Sequence, residues 1–230
     1  MSTFTGVAKG ELGKFCEAYL RTRGAKIDID GPLTQYENLP GGKVKYCIQR
    51  SRDVPRWIGN DAISNDFGIT GNDVVLDEFW SGNDRIGISG LLENCARDLG
   101  FENILGKLVV LGREGYESKK DRFKAVVSDY YPNIARIQMG LLGLQPNDYE
   151  LKIVQGAVEG YISSGACDLG IDTVYSGKTI SKENKGCSRY EKPGIIIVKK
   201  IIDTMPIIVY DNKKFGCEDF DNLFMTKANI

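Results

Sequence analysis

Apolar residues recur along this chain in two alternating periods. Short β-branched runs predict strands at Val44–Gln49, Leu108–Leu111, Lys124–Val127, Leu151–Val154, Leu169–Val174, Gly194–Val198 and Pro206–Tyr210. Between them, helical spacing predicts Glu11–Arg23, Leu91–Asp98, Asn133–Leu142, Ala157–Ser164 and Thr179–Asn184. In the first helix Leu12, Phe15, Cys16, Tyr19 and Leu20 share a face, and Gly24 follows as a stop. Phe67–Val75 reads as a short strand, a turn and a helix start. Strands alternating with helices predict α/β architecture.

Two stretches suggest boundaries: Gly100–Gly106 and the polar Lys182–Pro193. Too few strands follow Pro193 to fold alone, so they are expected to return to the first half. The expected organisation is a discontinuous α/β domain, residues 1–103 plus 193–230, with a second α/β domain, residues 104–192, inserted in it and a ligand cleft between them. The tail Asp211–Ile230 is polar and reads as a terminal helix or a fraying end.

Composition narrows the chemistry. The net charge is −1, so bulk electrostatics point to neither nucleic acid nor membrane. No apolar run is long enough to span a bilayer, and Met1–Thr5 has no basic segment leading into an apolar core. The six cysteines are scattered, with no C-x-x-C pair, and are expected as reduced thiols in a cytoplasmic protein. There is no histidine, which excludes Ser-His and Cys-His nucleophiles and disfavours a zinc centre. Mg²⁺ carried in by substrate phosphates suits the oxygen ligands that remain.

The richest stretch is Asp172-Thr173-Val174-Tyr175-Ser176-Gly177-Lys178-Thr179. A strand running into a small-residue turn and a helix presents backbone N–H groups to an anion. Ser176 and Thr179 add hydroxyls, and Gly177 lets a ligand approach the backbone. Asp172, just before the turn, is placed to accept from sugar hydroxyls. Carboxylate and anion nest together fit a ribose 5-phosphate; an ordinary strand-turn-helix fits the same residues. Upstream, Glu159 and Asp168 join Asp172 in a run with no basic residue between Lys152 and Lys178, an acidic cluster for polyol or Mg²⁺, or solvated helix-end acids. Arg50 and Arg52 follow a strand end, where guanidinium forks suit pyrophosphate or a salt-bridged turn. Gly71 sits at a strand-to-helix turn where a ligand or simply tight packing needs space. Lys9 opens the first helix within reach of a phosphate.

The order of these pieces is more specific than any one of them. Lys-Gly-x-Leu, Arg-x-Arg-Asp-Val-Pro, Gly-Ile-Thr-Gly-x-Asp-Val, Asp98-Leu99-Gly100-Phe101, Tyr-Pro-Asn, Gly-x-Val-Glu and Asp-x-Val-x-Ser-Gly-x-Thr follow one another from Lys9 to Asp203. This resembles the ATP phosphoribosyltransferase family of histidine biosynthesis. The resemblance implies a fold like the type II periplasmic binding proteins. It also implies transfer of a phosphoribosyl group from phosphoribosyl pyrophosphate to N1 of ATP, with Mg²⁺ present. Tyr175, Ser176, Gly177, Lys178 and Thr179 would then hold the 5-phosphate, with Asp168 nearby. Asp172 and Glu159 would meet ribose hydroxyls or Mg²⁺, and Arg50, Arg52 and Lys9 the pyrophosphate or ATP phosphates.

The resemblance is to the family's short form. That form implies a homo-oligomer and a separate regulatory subunit similar to a histidyl-tRNA synthetase. The chain departs from the family at Glu11, where arginine is usual, between Pro55 and Asp66, at Trp80–Gly90, at Asp129-Tyr130, and at Met205-Pro206, which interrupts the closing strand. Two other readings fit the same residues: a paralogue running this reaction in nucleoside-antibiotic synthesis, and a non-catalytic nucleotide- or phosphosugar-binding subunit. An extracellular solute-binding protein shares the architecture, but the lack of a leader argues against it.

Overall fold

The computed structural model describes residues 3–60, 65–115, 122–175, 180–181, 189–190 and 195–225. In chain order the elements are β1 (Thr3–Ala8), α1 (Glu11–Thr22), β2 (Thr34–Leu39), β3 (Gly42–Gln49), α2 (Asp53–Arg56), β4 (Phe67–Gly71), α3 (Asn72–Trp80), β5 (Ile86–Leu91), α4 (Glu93–Asp98), β6 (Gly106–Arg113), β7 (Phe123–Ser128), α5 (Pro132–Leu141), β8 (Tyr149–Val154), α6 (Val158–Ser163), β9 (Leu169–Tyr175), β10 (Ile180–Ser181), β11 (Arg189–Tyr190), β12 (Ile195–Thr204), β13 (Pro206–Asp211) and α7 (Asp219–Asn222). They form two compact units, Met1–Ile104 with Met205–Ile230, and Leu105–Thr204.

The first unit is a six-stranded sheet in the order β2-β3-β1-β4-β13-β5. β1 runs parallel to both β3 and β4, so three carboxyl ends share one edge. β13 enters antiparallel between β4 and β5. One apolar cluster joins Val54 and Ile58 to Val75, Ile86, Ile207 and Val209, with Met205 against it. The chain end is part of the same unit: Phe67 meets Phe215 at 4.7 Å and Phe220 at 5.6 Å between ring centroids. In the same unit the Asp211 carboxylate is wholly buried, and Arg85 Nη2 donates to it at 2.7 Å. Lys214 Nζ lies 3.7 Å from Asp211 and 3.4 Å from the carboxylate of Asp66.

The second unit is a seven-stranded sheet in the order β10-β11-β12-β6-β9-β7-β8. Here β7 runs parallel to β8 and β9, again gathering three carboxyl ends. α6 covers the face formed by Val109, Leu111, Val126, Val174 and Ile195, inserting Val158 and Ile162. Its close seat depends on Gly170, where an added Cβ would stand 2.6 Å from Ile162 Cδ1.

Three expectations need correction. β12 was expected in the first domain, beginning at residue 193; it belongs to the second unit. It pairs antiparallel with β6 from Ile195 opposite Arg113 to Thr204 opposite Gly106, and that long ladder decides its allegiance. Met205-Pro206 therefore does not interrupt one strand: it stands where the chain leaves one sheet and enters the other. The helix expected over Thr179–Asn184 is a strand at Ile180–Ser181, paired antiparallel with Arg189–Tyr190; the rest of that stretch lies outside the described residues. β2 and β5, both sheet edges, were not foreseen. The five described cysteines are free, and no described helix is long and apolar enough to cross a membrane.

Removing one member of a buried ion pair strands the other. Asp211→Ala is expected to lower unfolding stability by about 3–5 kcal/mol. Urea titration of wild type and variant measures it, and a loss below about 1 kcal/mol, the scale of an exposed pair, would contradict a structural role for this cluster.

Candidate functional site

In an α/β sheet, loops at the carboxyl ends of parallel strands run into helix N-termini, where N–H groups and short side chains face outward. Both units build such an edge. In the first, β1 ends at Lys9-Gly10, β3 at Arg50-Ser51-Arg52 and β4 at Gly71-Asn72, and α1, α2 and α3 begin there. Lys9 N donates to Gln49 O at 2.9 Å, which keeps the ends of β1 and β3 level. Thr70 Oγ1 donates to Ser51 O at 2.8 Å and lies 2.8 Å from Ser51 Oγ, tying the arginine loop to β4. Arg50 is exposed. Arg52 is half-buried, with Nε 3.8 Å from Asp53 Oδ1. Lys9, Arg50, Arg52 and Gly71 thus sit at one edge. At Gly71 the space left by the missing side chain is taken by the protein: an added Cβ would lie 2.2 Å from Asp73 Oδ1.

The second unit's edge is acidic and phenolic. Asp129 N donates to Val154 O at 2.8 Å, levelling the ends of β7 and β8. Gly156 and Ala157 both have positive φ, 76° and 57°. For alanine that conformation costs on the order of 1 kcal/mol or more. The pair turns the chain from β8 into α6, whose first turn carries Glu159. Across the sheet, Asp172 is half-buried near the end of β9 and accepts from Thr173 N at 2.9 Å. Burial, opposed by the Thr173 N–H bond and aided by the nearby charge of Glu159, raises the Asp172 carboxyl from 3.8 to about 6. On the other face of β9, Tyr131 Oη lies 2.6 Å from Thr173 Oγ1. Tyr131 itself is held by its N–H bond to Ser128 O at 3.0 Å.

Glu159, Asp172 and Tyr175 are therefore brought to one edge. Asp168 is not. It precedes β9 at the opposite end, about 13 Å along the strand from Asp172 at the usual rise per residue. Its carboxylate accepts from Lys124 N at 3.0 Å, a structural bond between neighbouring strands. Tyr175 ends β9 with its ring exposed. Ser176, Gly177, Lys178 and Thr179 lie outside the described residues. The Ser51–Thr70 and Tyr131–Thr173 pairs escaped sequence reasoning, because each joins residues far apart in the chain and neither carries a local pattern.

Among the described residues no group of three or more acidic or cysteine side chains could enclose a metal. Two neighbouring carboxylates, one of them raised to about 6, still fit Mg²⁺, which takes one or two protein carboxylates and completes its shell with substrate phosphates and water. A cation there would offset both the burial and the neighbouring Glu159 charge that raise Asp172.

Residues 50–188, more than half of the chain and spanning Arg50 through the Asp172 segment, match the sequence profile described as HisG: ATP phosphoribosyltransferase. The chain belongs to the ATP phosphoribosyltransferase family. A relative of that name from Thermococcus kodakarensis is 26% identical over 225 residues, covering 96% of this chain and 95% of its own. Another, from Mycobacterium tuberculosis, is 26% identical over 145 residues, 63% of this chain and 45% of its own. Among solved structures, the ATP phosphoribosyl transferase (HisG:HisZ) complex from Thermotoga maritima superposes with TM-score 0.68 at 15% identity, covering 95% of this chain and 92% of that one. Tv2483 bound to L-arginine superposes with TM-score 0.51 at 13% identity, covering 92% and 79%. The fold is thus the expected one, two α/β units of the type II periplasmic-binding-protein kind.

The raised Asp172 carboxyl has a stability consequence. Its folded value lies above its unfolded value, so the folded protein binds the proton more tightly. The stability tied to that proton is complete below pH 3.8 and lost as pH rises through about 6. Asp172→Asn should match wild type below that window and exceed it by about 1–3 kcal/mol at pH 7.5. Urea titrations across pH check this; equal stability at both ends would show that Asp172 is not held in a carboxylate-unfriendly site.

Proposed function

We propose that this chain transfers the 5-phosphoribosyl group of phosphoribosyl pyrophosphate to N1 of ATP, releasing pyrophosphate, the first step of histidine biosynthesis. Family membership carries the reaction class. The observation that carries the site is the pairing of Glu159 with Asp172 at the carboxyl edge of β7, β8 and β9, in a chain whose other parallel edge is cationic.

In this reaction the bond from the anomeric carbon to the pyrophosphate oxygen breaks, and one from that carbon to adenine N1 forms. The pyrophosphate leaves with the bonding electrons. N1 supplies its lone pair, and the substituted adenine carries the positive charge, so no side chain has to remove a proton. The demand on the protein is positioning and charge stabilisation. Asp172, ionised, accepts from the ribose hydroxyls, and with Glu159 places negative charge beside a ring that becomes oxocarbenium-like. Thr173 N–H and the Tyr131–Thr173 contact fix the strand end so that the carboxylate need not be ordered at the moment of reaction. Arg50, Arg52 and Lys9 stabilise the pyrophosphate or triphosphate oxygens. Tyr175 to Thr179 hold the 5-phosphate. Glu159 and Asp172 would hold Mg²⁺, which when bound offsets charge on the leaving pyrophosphate. Asp168, bonded to Lys124 N, plays no part in this assignment.

Glu11 does not oppose the anion site as strongly as its charge suggests. It is exposed and paired with Lys14 at 2.9 Å. A regulatory subunit is part of the same proposal. It is supported by the resemblance to the family's short form and by the Thermotoga protein having been solved as a HisG:HisZ complex.

The assay is pyrophosphate release together with the near-ultraviolet change of N1-substituted adenine, from ATP, phosphoribosyl pyrophosphate and Mg²⁺. Both signals should appear together. Asp172→Ala and Arg50→Ala should each lower kcat/KM by about 100-fold or more, the scale of a lost transition-state contact. Binding of both substrates with no turnover, alone and with a regulatory subunit added, would instead establish a binding module. Full activity in both variants would dismiss the site.

A further inference from the structure

Gln49 is the last residue of β3 and immediately precedes the arginine loop. It is only 7% exposed. It lies on the same face of its strand as Cys47, which stands opposite Gly6 of β1. The carboxamide folds over that glycine: an added Cβ at Gly6 would collide with Gln49 Nε2 and with Asn65 Nδ2. Asn65 is committed, since its Nδ2 donates to Val54 O at 3.1 Å. Gln49 is not. Among the described residues it is the one buried side chain with two polar atoms that both lack a hydrogen-bond partner. Buried donors and acceptors nearly always find partners, and leaving a pair unbonded lowers stability. A carboxamide that is placed at a site edge and holds nothing is available to a ligand.

The surroundings indicate which ligand. Lys9, Arg50 and Arg52 share this edge and suit the phosphates of a nucleotide. Lys9 N, bonded to Gln49 O at 2.9 Å, keeps Gln49 level with them. A nucleotide that leaves its phosphates there brings a base as well. Adenine presents an N6 donor beside an N7 acceptor, and a carboxamide matches both at once: Oε1 accepts from N6–H while Nε2 donates to N7. In the transfer proposed above N1 must stay free to attack, so the N6–N7 side is the one left for such a paired contact. As N1 forms its bond the purine becomes positive, and N6–H becomes a stronger donor to Oε1. We propose that Gln49 is a specificity-determining residue that reads the N6–N7 edge of the acceptor adenine. The proposal rests on that reaction for the identity of its ligand. The carboxamide turns from Gly6 to the base about its own side-chain bonds, and the turn breaks no hydrogen bond.

The test compares ATP with 7-deaza-ATP, which keeps N1 and N6 and replaces N7 by carbon. Calorimetric titration with Mg²⁺ gives Kd for each nucleotide. Wild type should bind ATP about tenfold or more tightly than 7-deaza-ATP. Gln49→Leu should bind the two about equally, and Gln49→Met, unbranched like glutamine, should do the same. Urea titration adds a readout that a structural amide would move the other way. Both variants remove two unbonded polar atoms from the interior, so both should unfold at or above the wild-type midpoint. The proposal is overturned if wild type binds neither nucleotide or both equally, if the variants keep the preference, or if both unfold earlier than wild type, which would show the amide bonded inside the protein. Pyrophosphate release is scored separately. Turnover without discrimination would sink this proposal and leave the reaction standing; discrimination without turnover would sink the reaction and leave the base contact.

Discussion

Parallel pairing decides where this molecule can do chemistry. β1 bonded to β3 and β4, and β7 bonded to β8 and β9, force three strand ends to one edge in each unit. Every helix that follows must start at that edge, bringing its outward N–H groups and first-turn side chains. Lys9, Arg50 and Gly71 come together for this reason, although more than sixty residues separate the first from the last. So do Glu159 and Asp172. Neither group could be assembled by local chain geometry alone.

The acidic edge is maintained against the folding preference of its own residues. Asp172 would be more comfortable neutral, and Ala157 occupies a conformation alanine avoids. α6 is seated through Val158, Ile162 and the missing side chain of Gly170, and that apolar contact supplies the stabilisation these two positions spend. A carboxylate that is partly protonated when empty and ionised beside a polyol or a cation binds its ligand with a change of charge state. The site is then most comfortable when occupied, which suits a reaction whose transition state is positive at the ribose carbon. On the cationic edge Arg50 is exposed and the loop is held from behind by Thr70 and Ser51, so the geometry is set by hydroxyls and the charge is left outward.

Much of this was legible in the sequence because it is local. Glu159 and Asp172 follow one another with fixed spacing, and the β-branched runs of β3, β6, β7, β9 and β13 stand out against polar neighbours. What was misread depends on partners. Asp168 shares the acidic run with Asp172, but a strand separates them, and the run does not reveal which end faces the ligand. β12 reads as a closing strand of the first domain until its ladder with β6 is seen. β2, Thr34–Leu39, hid because an edge strand needs only one apolar face and this one is largely polar. β5 hid behind its glycines. Ile180–Ser181 was expected within a helix and is a strand because Arg189–Tyr190 pairs with it.

The most direct test of the account is the proton count on binding phosphoribosyl pyrophosphate with Mg²⁺ at pH 6, by calorimetry in buffers of different ionisation enthalpy. Asp172 sits near half-protonation there when the site is empty. Wild type should release about half a proton more than Asp172→Asn, since the ligand's own phosphate titrates equally in both. Identical counts in the two proteins would mean that Asp172 does not meet the ligand, and the assignment of the acidic edge to the phosphoribosyl group would fall.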